Sequence, residues 1–269
     1  MKKLSLQELQ KVEFDILCVT ADICEKNNLN YSLAGGTLLG AVRHGEFIPW
    51  DDDIDIVMPR GDYEKFIGIF SKESPKRDKI LTPHADKNYI YEYIKVVDME
   101  TTMIEFPETK KIHTHVYIDI FPVDGMPDTR KKQEQHLKSV HFWQLLRAYI
   151  KRGQYRIEDK KRIVRCISKI LCLINTSYVS EFLITKLDKI SKKYSYENSQ
   201  YAAVVTGSGM KEVLKKEDYL LDGKIEFCGR EFSTYNNPEI YLSSLYGDYM
   251  KLPPIGERKG HDCIAWIQK

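Results

Sequence analysis

Long apolar runs are missing from this 269-residue chain, and so is any Cys-x-x-Cys pair. No window approaches the roughly 20 apolar residues that a membrane-spanning helix needs. The opening MKKLSLQELQKVEFDILCV has two lysines but neither a continuous apolar stretch nor a small-residue cleavage site, so it does not read as a secretion signal. The six cysteines, at 18, 24, 166, 172, 228 and 263, lack metal-ligand spacing. They suit reduced, buried thiols rather than a disulfide or zinc framework. Internal repeats and low-complexity tracts are also absent, which excludes a solenoid. These absences predict a cytoplasmic globular protein whose only contact with a membrane would be peripheral, at its inner face.

What is present is ordinary in amount and uneven in placement. Hydrophobic residues make up 42% and charged residues 30%, as in a soluble enzyme with a sizeable core. The net charge is only +2, yet Arg130–Lys169 holds thirteen Lys or Arg against three acids. Such a block reads either as a solvated helical face or as a surface for something anionic, such as a membrane. It has few aromatics suited to base stacking, so nucleic acid is not an expected partner.

The hydrophobic pattern alternates between helical and strand periods and predicts a mixed α/β fold. Ser5 with Glu8 forms a capping-box signature ahead of a helix over 6–26, whose acids Glu8, Glu13, Asp15 and Glu25 read as a solvated face. A short strand over 31–34 follows, then Gly35-Gly36, with Thr37 as the cap of a helical turn over 38–42. Tyr63–Phe70 reads as a helix, and Tyr89–Asp98 and His113–Phe121 as strands, with Thr101–Glu105 continuing a hairpin. Beyond Asp128 or Thr129 the pattern is helical to about Arg152 and again over 157–194, broken near Asn175. The C-terminal part predicts a strand after Tyr201, a hairpin around Cys228-Gly229, a short helix over Pro238–Tyr246, and an irregular tail. This divides the chain into a catalytic core over 1–127, a basic helical region over 128–200 on the acceptor or membrane side, and a C-terminal part over 201–269 that completes the site.

The informative stretch is Tyr31–Arg60, YSLAGGTLLGAVRHGEFIPWDDDIDIVMPR. Two glycines before a helix N-terminus let backbone amides approach a phosphate. Asp53 and Asp55 fall on one face of the predicted strand, two residues apart, where two carboxylates repel each other unless a cation lies between them. Asp119, in the middle of the apolar strand VYIDIF, is the natural third carboxylate. Glycines ahead of a helix together with paired strand aspartates are the parts that metal-assisted phosphoryl or nucleotidyl transfer requires. His113 and His115 share a strand face, but no further ligand lies near them in sequence, and they read as surface residues.

GGTLLGAVRHGEFIPWDDDIDI closely resembles the signature of the LicD family, which includes the fukutin-type proteins, and VYIDIFPVDG and SLYGDYMKLPP extend the resemblance. The sixteen residues between Gly36 and Asp53 exceed the spacer of the plainest nucleotidyltransferase folds. The resemblance implies a nucleotidyltransferase-like core with an added helical region. It also implies transfer of phosphocholine from CDP-choline to a glycan or lipid-linked glycan of teichoic acid or lipopolysaccharide type. Mg²⁺, with Mn²⁺ as a substitute, is the implied cofactor. Carried onto this chain, Asp53, Asp55 and Asp119 hold metal, with Asp51 as the preceding family acid; Asp52 has no assigned counterpart and reads as solvated. Gly35, Gly36, Thr37, Arg43, His44, Lys95, Arg258 and His261 are the expected phosphate and substrate contacts. A choline cation would need aromatic faces, for which Trp50, Tyr89, Tyr91, Tyr93, Phe121, Tyr246 and Tyr249 are candidates. Two other readings stand beside this one: transfer of another phosphoalcohol or a nucleotidyl group on the same fold, and a non-catalytic nucleotide-binding scaffold.

Overall fold

The computed structural model describes residues 1–85, 89–107, 111–152, 173, 176–219, 222–261 and 263–268. Its frame is a mixed sheet in which two long antiparallel strands, β5 (Ile94–Glu105) and β6 (Ile112–Met126), carry the remaining strands on their outer edges. Beside β6 lies β3 (Asp55–Pro59), parallel to it, and then the two-residue β2 (Ser32–Leu33). One half of β5 pairs with β4 (Asp78–Leu81), and the other half with β11 (Cys263–Ile267), which in turn pairs with β1 (Lys2–Lys3). The far end of β6 pairs with β7 (Tyr201–Ala203), which holds β8 (Leu214–Lys215).

Local sequence explains most of the helices. α1 (Leu6–Lys26) opens with the capping box that Ser5 and Glu8 announce, and it ends at Asn27. Its apolar stripe, including Leu9, Ile16, Leu17 and Ala21, is buried in the main core. Glu13 departs from the expected solvated face, because it lies one helical turn from both Leu9 and Leu17 and is only 1% exposed. α2 (Gly35–His44) starts three residues earlier than its pattern suggests. Its N-cap is Ala34, and Thr37 instead accepts a hydrogen bond from the Asp55 amide. α3 is Arg60–Glu73 and α4 is Arg130–Arg152.

α5 (Ser177–Ser191) is capped by Thr176, whose hydroxyl accepts the Val179 amide. Met126, Leu137, Val140, Ile184, Leu187, Ala203 and Val205 form a second, smaller core between α4, α5 and the β6–β7 edge. β9 (Gly223–Phe227) and β10 (Arg230–Thr234) make a separate hairpin. Its turn residues Cys228 and Gly229 both have positive φ, 52° and 78°, as a two-residue turn that matches strand twist requires. α6 (Pro238–Tyr246) then precedes Gly247.

Three expectations change. The strand read from Tyr89 begins only at Ile94, and Thr101–Glu105 is the same strand resumed after an irregularity between Asp98 and Met103. The tail is not irregular to its end, because β11 adds a strand to β5. The basic block is not simply an exposed face either: Arg147 is 1% exposed, pairs with Glu92 at 3.0 Å, and donates to the carbonyls of Tyr89 and Ile90. Most of the block's remainder, 153–169, and the helix expected from 157 lie outside the described residues, as do Cys166 and Cys172. Among the described residues no helix is long and apolar enough to cross a membrane.

One buried ion pair ties these layers together. Arg60, at the start of α3, makes a two-pronged contact to Asp124 of β6 at 2.7 and 2.6 Å and reaches Asp188 of α5 at 3.4 Å. Asp124 is 1% exposed, so Arg60→Ala would strand a buried carboxylate. Urea unfolding should show a loss of about 3–5 kcal/mol, and a loss below about 1 kcal/mol would show that the pair is not a structural tie.

Candidate active site

Three sheet positions set the centre. β3 and β6 run parallel with Asp55 opposite Asp119, and β5 runs antiparallel to β6 with Lys95 opposite Asp119. Neighbouring strands place residues in one row on the same sheet face, so Asp55, Asp119 and Lys95 form a line across three strands. Asp51 and Asp53 lie in the irregular approach to β3, which begins only at Asp55. The Asp119 amide is held by the Ile54 carbonyl at 2.8 Å, and the Asp55 amide by Thr37 Oγ1 at 2.8 Å. Backbone bonds therefore fix both strand aspartates.

The glycine pair has a structural reason beyond phosphate binding. A Cβ on Gly35 would lie 2.6 Å from Asp55 Oδ2, and one on Gly36 would lie 2.6 Å from Asp51 Oδ2. Gly35 also has φ of +52°, a conformation that favours glycine. Its amide donates to the Tyr241 hydroxyl at 3.3 Å. The start of α2 is thus packed directly against the carboxylates.

Crowding acids in a place poor in water pushes their protonation upward. Burial, then the Asp51 charge, raises Asp53 to about 7. Burial and the neighbouring aspartates also raise Asp55, and burial raises Asp51 and Asp119. Glu13, on α1, is raised by burial and by the charges of Asp53, Asp52, Asp51 and Asp119, and among the described residues its Oε2 has no hydrogen-bond partner. The cluster accordingly calls for positive charge.

Two cations answer from the protein itself. Lys95 Nζ lies 2.8 Å from Asp119 Oδ1 and is 1% exposed. His261, from the tail, places Nδ1 3.0 Å from Asp52 and 3.5 Å from Asp53. Its hydrogen bond to Asp52, together with the acids around it, raises its pKa to about 9.

Asp52 is not solvated, as its sequence position suggested. It is 7% exposed and accepts from the His261 amide at 2.6 Å and from Cys263 Sγ at 3.2 Å. Gly260 allows this approach, since a Cβ there would lie 2.6 Å from the Trp50 carbonyl and 2.9 Å from Asp52 Oδ1. Asp52 therefore fastens the tail onto the acidic loop.

The other expected contacts gather at the opposite end of α2, about 10 Å of helix rise from Gly36. Arg43 donates through Nη1 to the Tyr249 carbonyl at 3.0 Å and through Nε to His44 Nε2 at 3.0 Å. Arg258 donates to the Pro253 carbonyl, and its guanidinium lies 5.2 Å from the centre of the Trp50 ring. Burial and the nearby Arg258 charge lower Arg43. The tail thus sets one cation at the acids, His261, and another near Arg43. His113 is exposed, and His115 Nδ1 lies 2.6 Å from the Thr101 carbonyl, so neither histidine joins the site.

The donor set suits a divalent cation. Asp51, Asp53 and His261 each offer an atom within 4.8 Å of the others, and Asp55 and Asp119 flank them in the sheet. This places His261 among the possible ligands, beside the carboxylates that the sequence points to. Glu13 and Asp52 escaped the sequence reading. Glu13 carried a usable signal in its place on the apolar stripe, whereas Asp52 carried none, because its partners lie more than two hundred residues away.

The His261 contact makes stability depend on pH in a stated direction. Its folded pKa is above the ordinary 6.5, so its contribution is complete below pH 6.5 and is lost as pH rises through about 9. The difference in thermal stability between wild type and His261→Ala should therefore be widest at pH 6 and shrink by pH 10. A difference that stays constant across that range would remove the ion-pair account.

Comparison with known proteins agrees with this geometry. Residues 28–154 match the model of the LicD/FKTN/FKRP nucleotidyltransferase domain, a span that holds the glycine pair and all four site aspartates. Over 270 aligned residues, 97% of each chain, the sequence is 33% identical to the lipopolysaccharide cholinephosphotransferase LicD of Haemophilus influenzae. Over 125 residues, 45% of this chain and 22% of the relative, it is 28% identical to the human ribitol 5-phosphate transferase FKRP. An uncharacterized protein of Rickettsia prowazekii, RP689, is 31% identical over 129 residues, 47% of this chain and 42% of its own. A relative matched end to end at that level, with the domain signature laid over the acidic row, places this chain in the LicD family.

Proposed function

We propose that this protein is a phosphocholine transferase, moving the group from CDP-choline to a hydroxyl of a cell-surface glycan precursor with the help of Mg²⁺. The observation that carries the reading is the packing of Asp55 and Asp51 against Gly35 and Gly36 at the start of α2, with Asp119 opposite Asp55 and Asp53 beside Asp51. The end-to-end likeness to a lipopolysaccharide cholinephosphotransferase supports the group transferred and the acceptor class. Asp53, Asp55 and Asp119, with Asp51 and His261 beside them, are the residues that would hold the metal. A bound divalent ion would neutralise diphosphate charge and stabilise the leaving CMP.

The chain's own groups then divide the work. The acceptor oxygen forms a bond to the choline-bearing phosphorus as the bond to CMP breaks, and the hydroxyl proton leaves through Asp119, which backbone and Lys95 hold in place. Arg43 and Arg258 offset negative charge on the donor from the far end of α2, with His44 beside them. Gly35, Gly36 and Thr37 act mainly by letting the acids and α2 pack closely.

Most of the aromatic candidates for the choline cation are already engaged. Tyr91 and Tyr93 face Lys95, Phe121 packs on Tyr93 at 4.1 Å, and Trp50 lies under Arg258. Tyr249 packs against the main core. Tyr246, at the end of α6, is 46% exposed and feels the charges of Asp55 and Asp51. We assign it the cation-facing role. Tyr246→Ala should raise KM for CDP-choline about 5- to 30-fold, the equivalent of roughly 1–2 kcal/mol, with a smaller effect on kcat. An unchanged KM would move the choline site elsewhere.

The reaction itself is tested by incubating the protein with CDP-choline, Mg²⁺ and lipid-linked glycans, and following CMP and the modified glycan by mass spectrometry. EDTA and Asp53→Ala should each abolish turnover while the variant stays folded. CMP released from CDP-ribitol but not from CDP-choline would favour the phosphoalcohol of the FKRP relative, and pyrophosphate released from CTP would favour nucleotidyl transfer.

A further inference from the structure

The environment of Lys95 is more elaborate than a phosphate contact needs. Its ammonium lies 3.1 Å from the centre of the Tyr117 ring, 4.1 Å from Tyr91 and 5.8 Å from Tyr93. Glu105 closes this box by accepting the Tyr117 hydroxyl at 2.6 Å and the Tyr91 hydroxyl at 2.8 Å, and its carboxylate lies 3.9 Å from Nζ. Tyr117 and Asp119 share a face of β6, two residues apart, so one strand supplies both the box wall and the site carboxylate. The lysine is 1% exposed, although with Tyr91 and Glu105 it borders a cavity of about 340 Å³ between Leu81 and Thr114.

A buried ammonium enclosed by rings and two carboxylates is stabilised where it stands. Its remaining effect is on Asp119, one of whose oxygens is committed to it. Asp119 also accepts from the Tyr93 side chain, and it lies opposite Asp55 in the sheet. Without this partner the Asp119 side chain, crowded by like charges, would be free to turn away from its place in the row.

We propose that Lys95 is a positioning residue: a built-in alkylammonium, caged by tyrosines, that holds the Asp119 side chain in place beside the acid cluster and touches neither donor nor acceptor. This rests on the transferase reading for its consequence in turnover, but not for the cage itself. Truncation to alanine removes three methylenes and the ammonium, and n-propylammonium restores the same atoms. The cage should therefore bind that ion and discriminate against 1-propanol, which has similar size and no charge.

The test uses Lys95→Ala and Lys95→Met in the full chain. In thermal unfolding, n-propylammonium should raise the midpoint of Lys95→Ala in a saturable way and leave wild type unchanged, while 1-propanol does neither. This arm does not depend on the donor's identity, so it remains readable if CDP-choline is the wrong substrate. In turnover, both variants should lose about 10- to 100-fold in kcat, as when a supporting partner of a metal ligand is removed, with KM for the donor within about threefold of wild type. n-Propylammonium should recover part of the loss in Lys95→Ala but not in Lys95→Met, whose side chain fills the box. Equal stabilisation by 1-propanol, wild-type kcat in Lys95→Met, or failure of both variants to unfold cooperatively would overturn the proposal.

Discussion

Repulsion among carboxylates is the constraint on which this molecule depends. At an effective dielectric of about 20, two like charges about 4–5 Å apart oppose each other by on the order of 3–4 kcal/mol. Asp51, Asp53, Asp55 and Asp119 meet in one place, with Glu13 buried below them. Much of the surrounding architecture makes that meeting tolerable. Glycines at 35, 36 and 260 let backbone approach carboxylate oxygens with no side chain between, and the Thr37 hydroxyl holds the Asp55 amide. Lys95 answers from the sheet and His261 from the tail.

The route by which His261 arrives explains the topology of the C-terminus. β5 is long enough to hold β4 with one half and β11 with the other. Pairing Cys263 with Glu105 anchors the tail beside the residue that closes the lysine box. The residues just before β11 then meet the acidic loop, where Asp52 binds the His261 amide and Cys263. A carboxylate that fastens the tail thus sits between two cluster carboxylates in the run Asp51-Asp52-Asp53. Its neighbours face the cluster, and it faces the tail.

How much of this can be read in the sequence follows from the range of each interaction. α1 and α6 are legible to the residue because capping boxes, N-terminal proline and apolar stripes are local signals. The row of Asp55 and Asp119 is legible as chemistry, since a carboxylate inside an apolar strand must meet a cation or give up its charge. Parallel register is not legible, because nothing in either strand states what it pairs with. Lys95 is visible as an odd lysine in a strand, but its cage joins Tyr91, Tyr117 and Glu105 across a strand irregularity that no pattern announces. Asp52 misleads because its partners come from the other end of the chain. Glu13 misleads for a different reason, since a helical wheel already places it on the buried stripe and only the habit of setting charges outside conceals it.

The cations divide by exposure, and that division says what each can do. Lys95 is closed off and paired, so it can shape the site but cannot follow a substrate through a reaction. His261 is 60% exposed at its side chain, Arg43 is tied to the Tyr249 carbonyl and the His44 ring, and Arg258 to the Pro253 carbonyl and the Trp50 ring face. These three stay open to an arriving anion. A site for transfer of a phosphoalcohol group takes in and gives out anionic groups, and it is served by open cations that exchange partners and a closed one that does not. Placing the closed cation on the central strand and an open one on a late-arriving tail gives the rigid sheet the permanent charge and the peripheral segment a variable one.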